Sequence, residues 1–212
     1  MVVLAFDPPG VAALARLPRH VPVVALSGAR VEDRAQVVID EEAGAFALTT
    51  HLLALGHRTV HHVRVPAPGG EGGRTVGWRR ALLAAGRPVP EIVEAGWEAA
   101  DARPLGAALA GRDDVTAVFC GNDEVAMCVL AGLRDRGLSA PRDVSVAGFD
   151  DHPLARLWDP ALTTVAQDFA ELGRRGWRLL SDHAADPRLV TLTPDLVVRA
   201  STGAPLPRKA PS

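Results

Sequence analysis

Three polar residues stand just after valine-rich apolar runs. Arg74 closes the loop that follows Thr59 to Val65, Asn122 follows Val115 to Cys120, and Asp150 follows Val144 to Ala147. An amide, a carboxylate and a guanidinium hold hydrogen-bond donors and acceptors in fixed planes, which suits the neighbouring hydroxyls of a sugar or the edge of a heterocycle. Two of the three have an equally good structural reading: Asn122 as a helix N-cap, and Asp150 with Asp151 as a polar turn before Pro153. Arg74 differs, because a cation in the first turn of a helix faces the positive end of the dipole, and a ligand anion or hydroxyl explains it better. Trp97, after the run Ile92 to Ala95, offers a flat face for stacking on a sugar or base, and equally a core filler.

Other chemistry is weakly signalled. His51, His57, His61 and His62 invite a metal reading, but adjacent strand residues point to opposite faces, so His61 and His62 cannot share one ion and no metal site is expected. His57, just past a helix C-terminus, is placed for an imidazolium to interact with the dipole, a structural role. The loop Gly69 to Gly73 lies between a strand and a helix, where phosphate cradles sit. It fits no nucleotide fingerprint, since Thr75 occupies the third glycine position, no Gly-Lys-Ser/Thr follows, and Glu71 repels phosphate. No Gly-x-Ser-x-Gly elbow and no cysteine paired with a motif histidine calls for an enzyme, and nothing calls for a cofactor.

The elements that must position these residues follow from patterning. Val2 to Phe6, Val21 to Leu26, Val37 to Ile39, Thr59 to Val65, Val115 to Cys120 and Val144 to Ala147 read as buried parallel strands. Helices are expected over 41 to 55, capped by Asp40 and stopped by Gly56; over Arg74 to Ala85; from Asn122 and Asp123 to a stop at Gly137; and over Phe169 to Leu180. Alternating strands and helices argue an α/β fold with parallel sheets and right-handed crossovers. In such sheets ligands bind outside the carboxyl ends of the strands, which puts Arg74, Asn122 and Asp150 at one crevice.

Composition sets the outer bounds. A chain of 212 residues, 48% hydrophobic, can bury one large domain or two small lobes. Its net charge of -2 supplies no basic face for wrapping nucleic acid. The start, MVVLAFDPPG, reads as a strand and not as a signal peptide, no stretch is long enough to cross a bilayer, and Cys120 and Cys128 lack partners at metal-site spacing. Together these point to a soluble, cytoplasmic protein with reduced thiols.

Residues 115 to 173 carry a longer text: Asn122-Asp123 before a helix, Pro141-x-Asp143-Val144-Ser145-Val146, Gly148-Phe149-Asp150-Asp151, Leu162-Thr163-Thr164 and Gln167. This region resembles the sensor domains of lactose/galactose repressor (LacI/GalR) family regulators. The likeness extends through Val21 to Val24, Asp40 to Gly44, Leu55 to Arg58, Gly77-Trp78 and Leu196 to Arg199.

The resemblance implies a periplasmic-binding-protein-like type I fold of two Rossmann-like lobes, joined by three crossing strands, that closes on a small effector and works as a homodimer. On this basis residues 1–39 with 165–187 form the first lobe, 40–164 with 188–202 the second, 203–212 a loose tail, and the crossings lie near Ile39, Thr164 and Arg188. Arg74, Asn122, Asp150 and Gln167 match effector-binding positions, and Trp97 an aromatic position that stacks on sugars. Ser27 stands where sugar-binding members often carry an acid, and the loop before Arg74 is glycine-rich rather than serine-rich. Relatives begin with a helix-turn-helix head, which reads operator DNA, and with further strands and helices of the first lobe. Their absence here leaves that lobe incomplete, with Val2 to Phe6 expected as an exposed, weakly stable or self-associating edge. The function implied is effector sensing in a transcriptional repressor, with a sugar as ligand. The rivals are a sugar-binding transport receptor and an α/β enzyme acting on a phosphorylated substrate.

Overall fold

Two four-stranded parallel sheets carry the chain, each covered by helices on both faces. The computed structural model describes residues 1–28, 30–31, 34–67, 70–96, 98–181 and 189–206. In the first lobe, strands β1 (Val2–Ala5), β2 (Val24–Ser27), β3 (Ala35–Ile39) and β9 (Leu189–Leu192) lie in the order β1-β2-β3-β9. Helix α1 (Pro8–Arg16) packs Leu14 onto Ala5, Val23 and Ala25 on one face. Helix α6 (Phe169–Ser181) packs Leu172 onto Val24, Leu26, Val37 and Ile39 on the other. A Cβ on Gly176 would come within 2.6 Å of Leu26 Cδ2, so a side chain there would lift α6 off the sheet. At the sheet edge, Val2 and Leu4 are 41% and 64% exposed.

The second lobe holds β4 (His61–Arg64), β5 (Val93–Glu94), β6 (Ala117–Cys120) and β7 (Ser145–Ala147) in the order β5-β4-β6-β7. Helices α2 (Glu41–Ala54) and α3 (Gly73–Ala84) bury Leu48, Leu52, Trp78 and Leu82 with Phe119 and Phe149. Helices α4 (Ala102–Ala110) and α5 (Asp123–Asp135) form the other layer, on Val63, Val118 and Val146. The helix pairs touch at glycine: a Cβ on Gly77 would sit 2.2 Å from Glu42 O, and one on Gly132 2.0 Å from Arg103 O.

Three chain crossings join the lobes. The first leaves β3 through Asp40, whose N–H donates to Leu192 O at 2.8 Å and whose carboxylate accepts from Ala43 N at 2.9 Å, starting α2. The second runs from β8 (Thr164–Ala166) into α6, and the third from β9 through Thr193 and Pro194 into β10 (Asp195–Val197), which pairs antiparallel with β8.

Several expectations need correction. The segment 188–202, expected whole in the second lobe, is split: Leu189–Leu192 extends the first sheet beside β3, because its register with Gln36–Ile39 satisfies that sheet's free edge. Conversely Thr164–Ala166, whose last two residues are expected in the first lobe, bonds β10 and bridges Ala166 to Asp150 of the second. The third crossing therefore follows β9, while Arg188 lies outside the described residues. The tail is not loose at its start: Gly203 donates to Ser145 Oγ, and its carbonyl accepts from the same hydroxyl, both at 3.0 Å. Residues 207–212 lie outside the described residues.

Candidate ligand cleft

The carboxyl ends of β4, β6 and β7 open onto a cleft of about 200 Å³ between the lobes. Asn122, Asp150, Arg74 and Gln167 all line it, so the structure brings four of the five expected residues together. The fifth, Trp97, lies outside the described residues.

Each is held by its element. Asn122 caps α5, its Oδ1 accepting from Val125 N at 2.8 Å, and the residue borders the cleft. Asp150 sits at φ +110, a left-handed conformation that turns the chain out of β7, and its N–H donates to Val165 O at 2.8 Å. Gln167, one residue past β8, is 7% exposed; its Nε2 donates to Asp150 Oδ1, and its Oε1 is buried without a hydrogen-bond partner.

For Arg74 the structure shows protein partners where the sequence points to a ligand anion or hydroxyl. The protein supplies its anions: Nη2 lies 2.8 Å from Glu41 Oε1 and 3.1 Å from Asp150 Oδ1, Nη1 donates to Gly121 O, and the guanidinium lies 4.4 Å above the Phe149 ring. Both carboxylates offset the desolvation of the guanidinium, and its pKa is raised. Asp150 shifts up to about 6, chiefly because burial penalises its charge; Arg74 and Gln167 pull the other way.

Glu41 was missed from the sequence because an acid in the first turn of α2 already has a sufficient reason to be there. In the fold it clamps Arg74 and packs against the loop after β2, where a Cβ on Gly28 would lie 2.6 Å from its Cδ. Phe6 and Phe169 were missed for the same kind of reason. They belong to a strand end and a helix start that only the lobe arrangement brings to one wall, edge to face at 6.1 Å. Below Arg74, His62 is fully buried, stacked at 4.6 Å on Phe119. Its Nδ1–H donates to Phe119 O at 3.0 Å, and Nε2 accepts from Thr75 Oγ1 at 3.1 Å. Burial lowers its pKa to about 4, so the ring is neutral. His57 is likewise buried with a lowered pKa, which corrects the imidazolium reading. It bonds Thr116, Ser145 and Gly203 as a neutral structural ring. Glu71, at the rim of the glycine loop, pairs with Arg79. Among the described residues no cluster of His, Cys, Asp and Glu could hold a metal ion, and no helix is long and apolar enough to cross a membrane.

The fold that carries this cleft is matched by known proteins. The family model for the periplasmic binding protein-like domain matches residues 49–202. The chain belongs to that family. It is similar to the HTH-type transcriptional regulator DegA of Bacillus subtilis (strain 168), 35% identical over 173 residues, 78% of this chain and 51% of DegA. It also resembles the solved complex of the transcriptional regulator CelR with cellobiose, with TM-score 0.83 and 29% identity, covering 94% of this chain and 64% of CelR. A regulatory protein of the LacI family from Chloroflexus aggregans gives TM-score 0.84 at 28% identity, over 95% of this chain and 76% of that one. By name these relatives are regulators, and the chain spans about half the length of DegA.

Proposed function

We propose that this chain is the effector-sensing part of a LacI-type transcriptional repressor, with a sugar as the small molecule bound in the cleft. One observation carries the reading: Asp150 and Gln167, coupled by a hydrogen bond, stand where the second lobe meets a crossing strand, opposite Phe6 and Phe169 of the first lobe. A ligand held by these polar groups and covered by the two rings touches both lobes, so it binds the closed arrangement better than the open one and shifts their populations. In the complete homodimer that shift would change the spacing of DNA-binding heads and so the grip on operator DNA, in the cytoplasm where that DNA lies. The cellobiose bound to CelR supports a sugar, and Trp97 is proposed as a further stacking face on the family resemblance.

A thermal-shift titration against sugars, phosphosugars and purines tests this. Ligand at a hundredfold excess over its Kd adds about 2.7 kcal/mol to the stability of the folded form. One sugar should stabilise the protein, and Asp150→Ala should abolish the effect. A purine stabilising in place of every sugar would overturn the ligand class, and no stabilisation by any small molecule would overturn the sensor reading.

A further inference from the structure

The charges lining the cleft are unevenly matched. Among the described residues the two guanidiniums that line it are both committed: Arg74 to Glu41 and Asp150, and Arg64 to Glu94 through Nε at 3.0 Å and Nη2 at 2.5 Å. Among the described residues three carboxylates line the same space: Glu71 is paired with Arg79, whereas Glu41 and Asp150 share the single guanidinium of Arg74, and His62 adds no charge. Among the described lining side chains the uncommitted polar atoms are mostly acceptors, with the Asn122 Nδ2 amide as a donor beside them. Gln167 Oε1 is buried without a donor, and Glu41 and Asp150 each engage Arg74 through a single oxygen. The orientation of the Gln167 amide is set by its donation to Asp150, which leaves the carbonyl oxygen to face a ligand.

An acceptor-rich cleft of negative balance wants hydrogen-bond donors. A free sugar's hydroxyls supply them. A phosphoryl or carboxylate group brings further acceptors and negative charge to a place where the guanidinium is already neutralised, at a low effective dielectric that magnifies the repulsion. We propose that Glu41, acting with Asp150, sets the ligand class, so that the cleft takes an uncharged, donor-rich polyhydroxyl molecule and rejects its phosphorylated or carboxylated counterpart. This rests on the effector-sensing reading and adds Glu41 as its specificity-determining residue. Glu41 does so by occupying the Arg74 donor that an anion would otherwise use.

Inorganic phosphate is the probe, titrated calorimetrically at pH 7.5 into the full chain, its Glu41→Gln variant and its Asp150→Asn variant, with chloride at matched ionic strength as the reference. The wild type should show no saturable phosphate binding. Glu41→Gln should bind phosphate at least tenfold more tightly, and Asp150→Asn should show a gain of the same sign, which carries the test if Glu41→Gln does not melt cooperatively. Saturable binding to the wild type that Arg74→Lys removes would overturn the proposal, as would equal phosphate affinity in wild type and variants. Either of those outcomes, beside stabilisation of the wild type by a free sugar, would leave the sensor reading standing and remove only the charge selection.

Discussion

Asp123, the first residue of α5, is fully buried and ties three segments together. Its Oδ1 accepts from Thr164 Oγ1 at 2.6 Å on a lobe-crossing strand, and its Oδ2 accepts from His152 N at 2.7 Å in the loop after β7. Burial raises its pKa to about 7 from 3.8; the two hydrogen bonds act against the rise, and Asp150 and Asp151 add to it by repulsion. The folded protein thus holds a proton that the unfolded chain has released, and stability falls as pH rises from about 4 to about 7, then levels off. At about 1.36 kcal/mol per unit the loss has a ceiling of about 4 kcal/mol. Asp123→Asn removes the charge and can keep both contacts, accepting from His152 N and donating to Thr164 Oγ1. Urea unfolding across pH 5 to 8 should show the variant losing most of the wild type's downward slope and, at pH 8, exceeding its stability by about 1–2 kcal/mol once the weaker neutral hydrogen bonds are counted. A wild-type profile that stays level or rises from pH 5 to 7 relative to the variant's would refute the argument, as would a variant clearly less stable at pH 8.

Arg74→Met should destabilise by about 2–4 kcal/mol at pH 7.5, because it leaves Glu41 and Asp150 without their cation. Denaturation at pH 5 should show a smaller cost, since Asp150, with its pKa near 6, then takes up a proton. Gly77→Ala should cost about 1–3 kcal/mol by forcing α2 and α3 apart at the Glu42 carbonyl. Gly137→Ala, at φ +75 with open space around it, should cost only about 1 kcal/mol, and thermal melts of the pair separate packing from backbone conformation. The open β1 edge should make the chain self-associate: Leu4→Lys should shift size-exclusion elution toward monomer, and strong amide protection of Val3 to Ala5 in a dilute monomer would contradict an exposed edge.

The α/β alternation was legible because buried parallel strands need uninterrupted runs such as Val115 to Cys120, and because Asp40 and Asn122 announce helix starts by chemistry local to the chain. Helices α1 and α4 were not legible. Their segments, Pro8–Arg16 and Ala102–Ala110, carry Pro8, Pro9, Gly10, Pro104 and Gly106, which read as breakers. The prolines of α1 fall in its first turn, where a missing N–H costs nothing, and Gly106 is required because a Cβ there would meet Val129 O at 2.3 Å. Strands β9 and β10 are short and half exposed, and their partners are far away in sequence, so no local period marks them.

In the cleft, the polar groups that leave the ends of apolar strands are readable from the order of residues, since strand direction alone sends Arg74, Asn122 and Asp150 toward one rim. The partners those groups meet come from the fold. Glu41 arrives from the helix after a lobe crossing, Gln167 from another crossing strand, and Phe6 and Phe169 from the opposite lobe. Whether Arg74 is a free cation or a neutralised one depends on those arrivals. Charge pairing acts over a few ångströms of space, whereas the sequence records only distance along the chain.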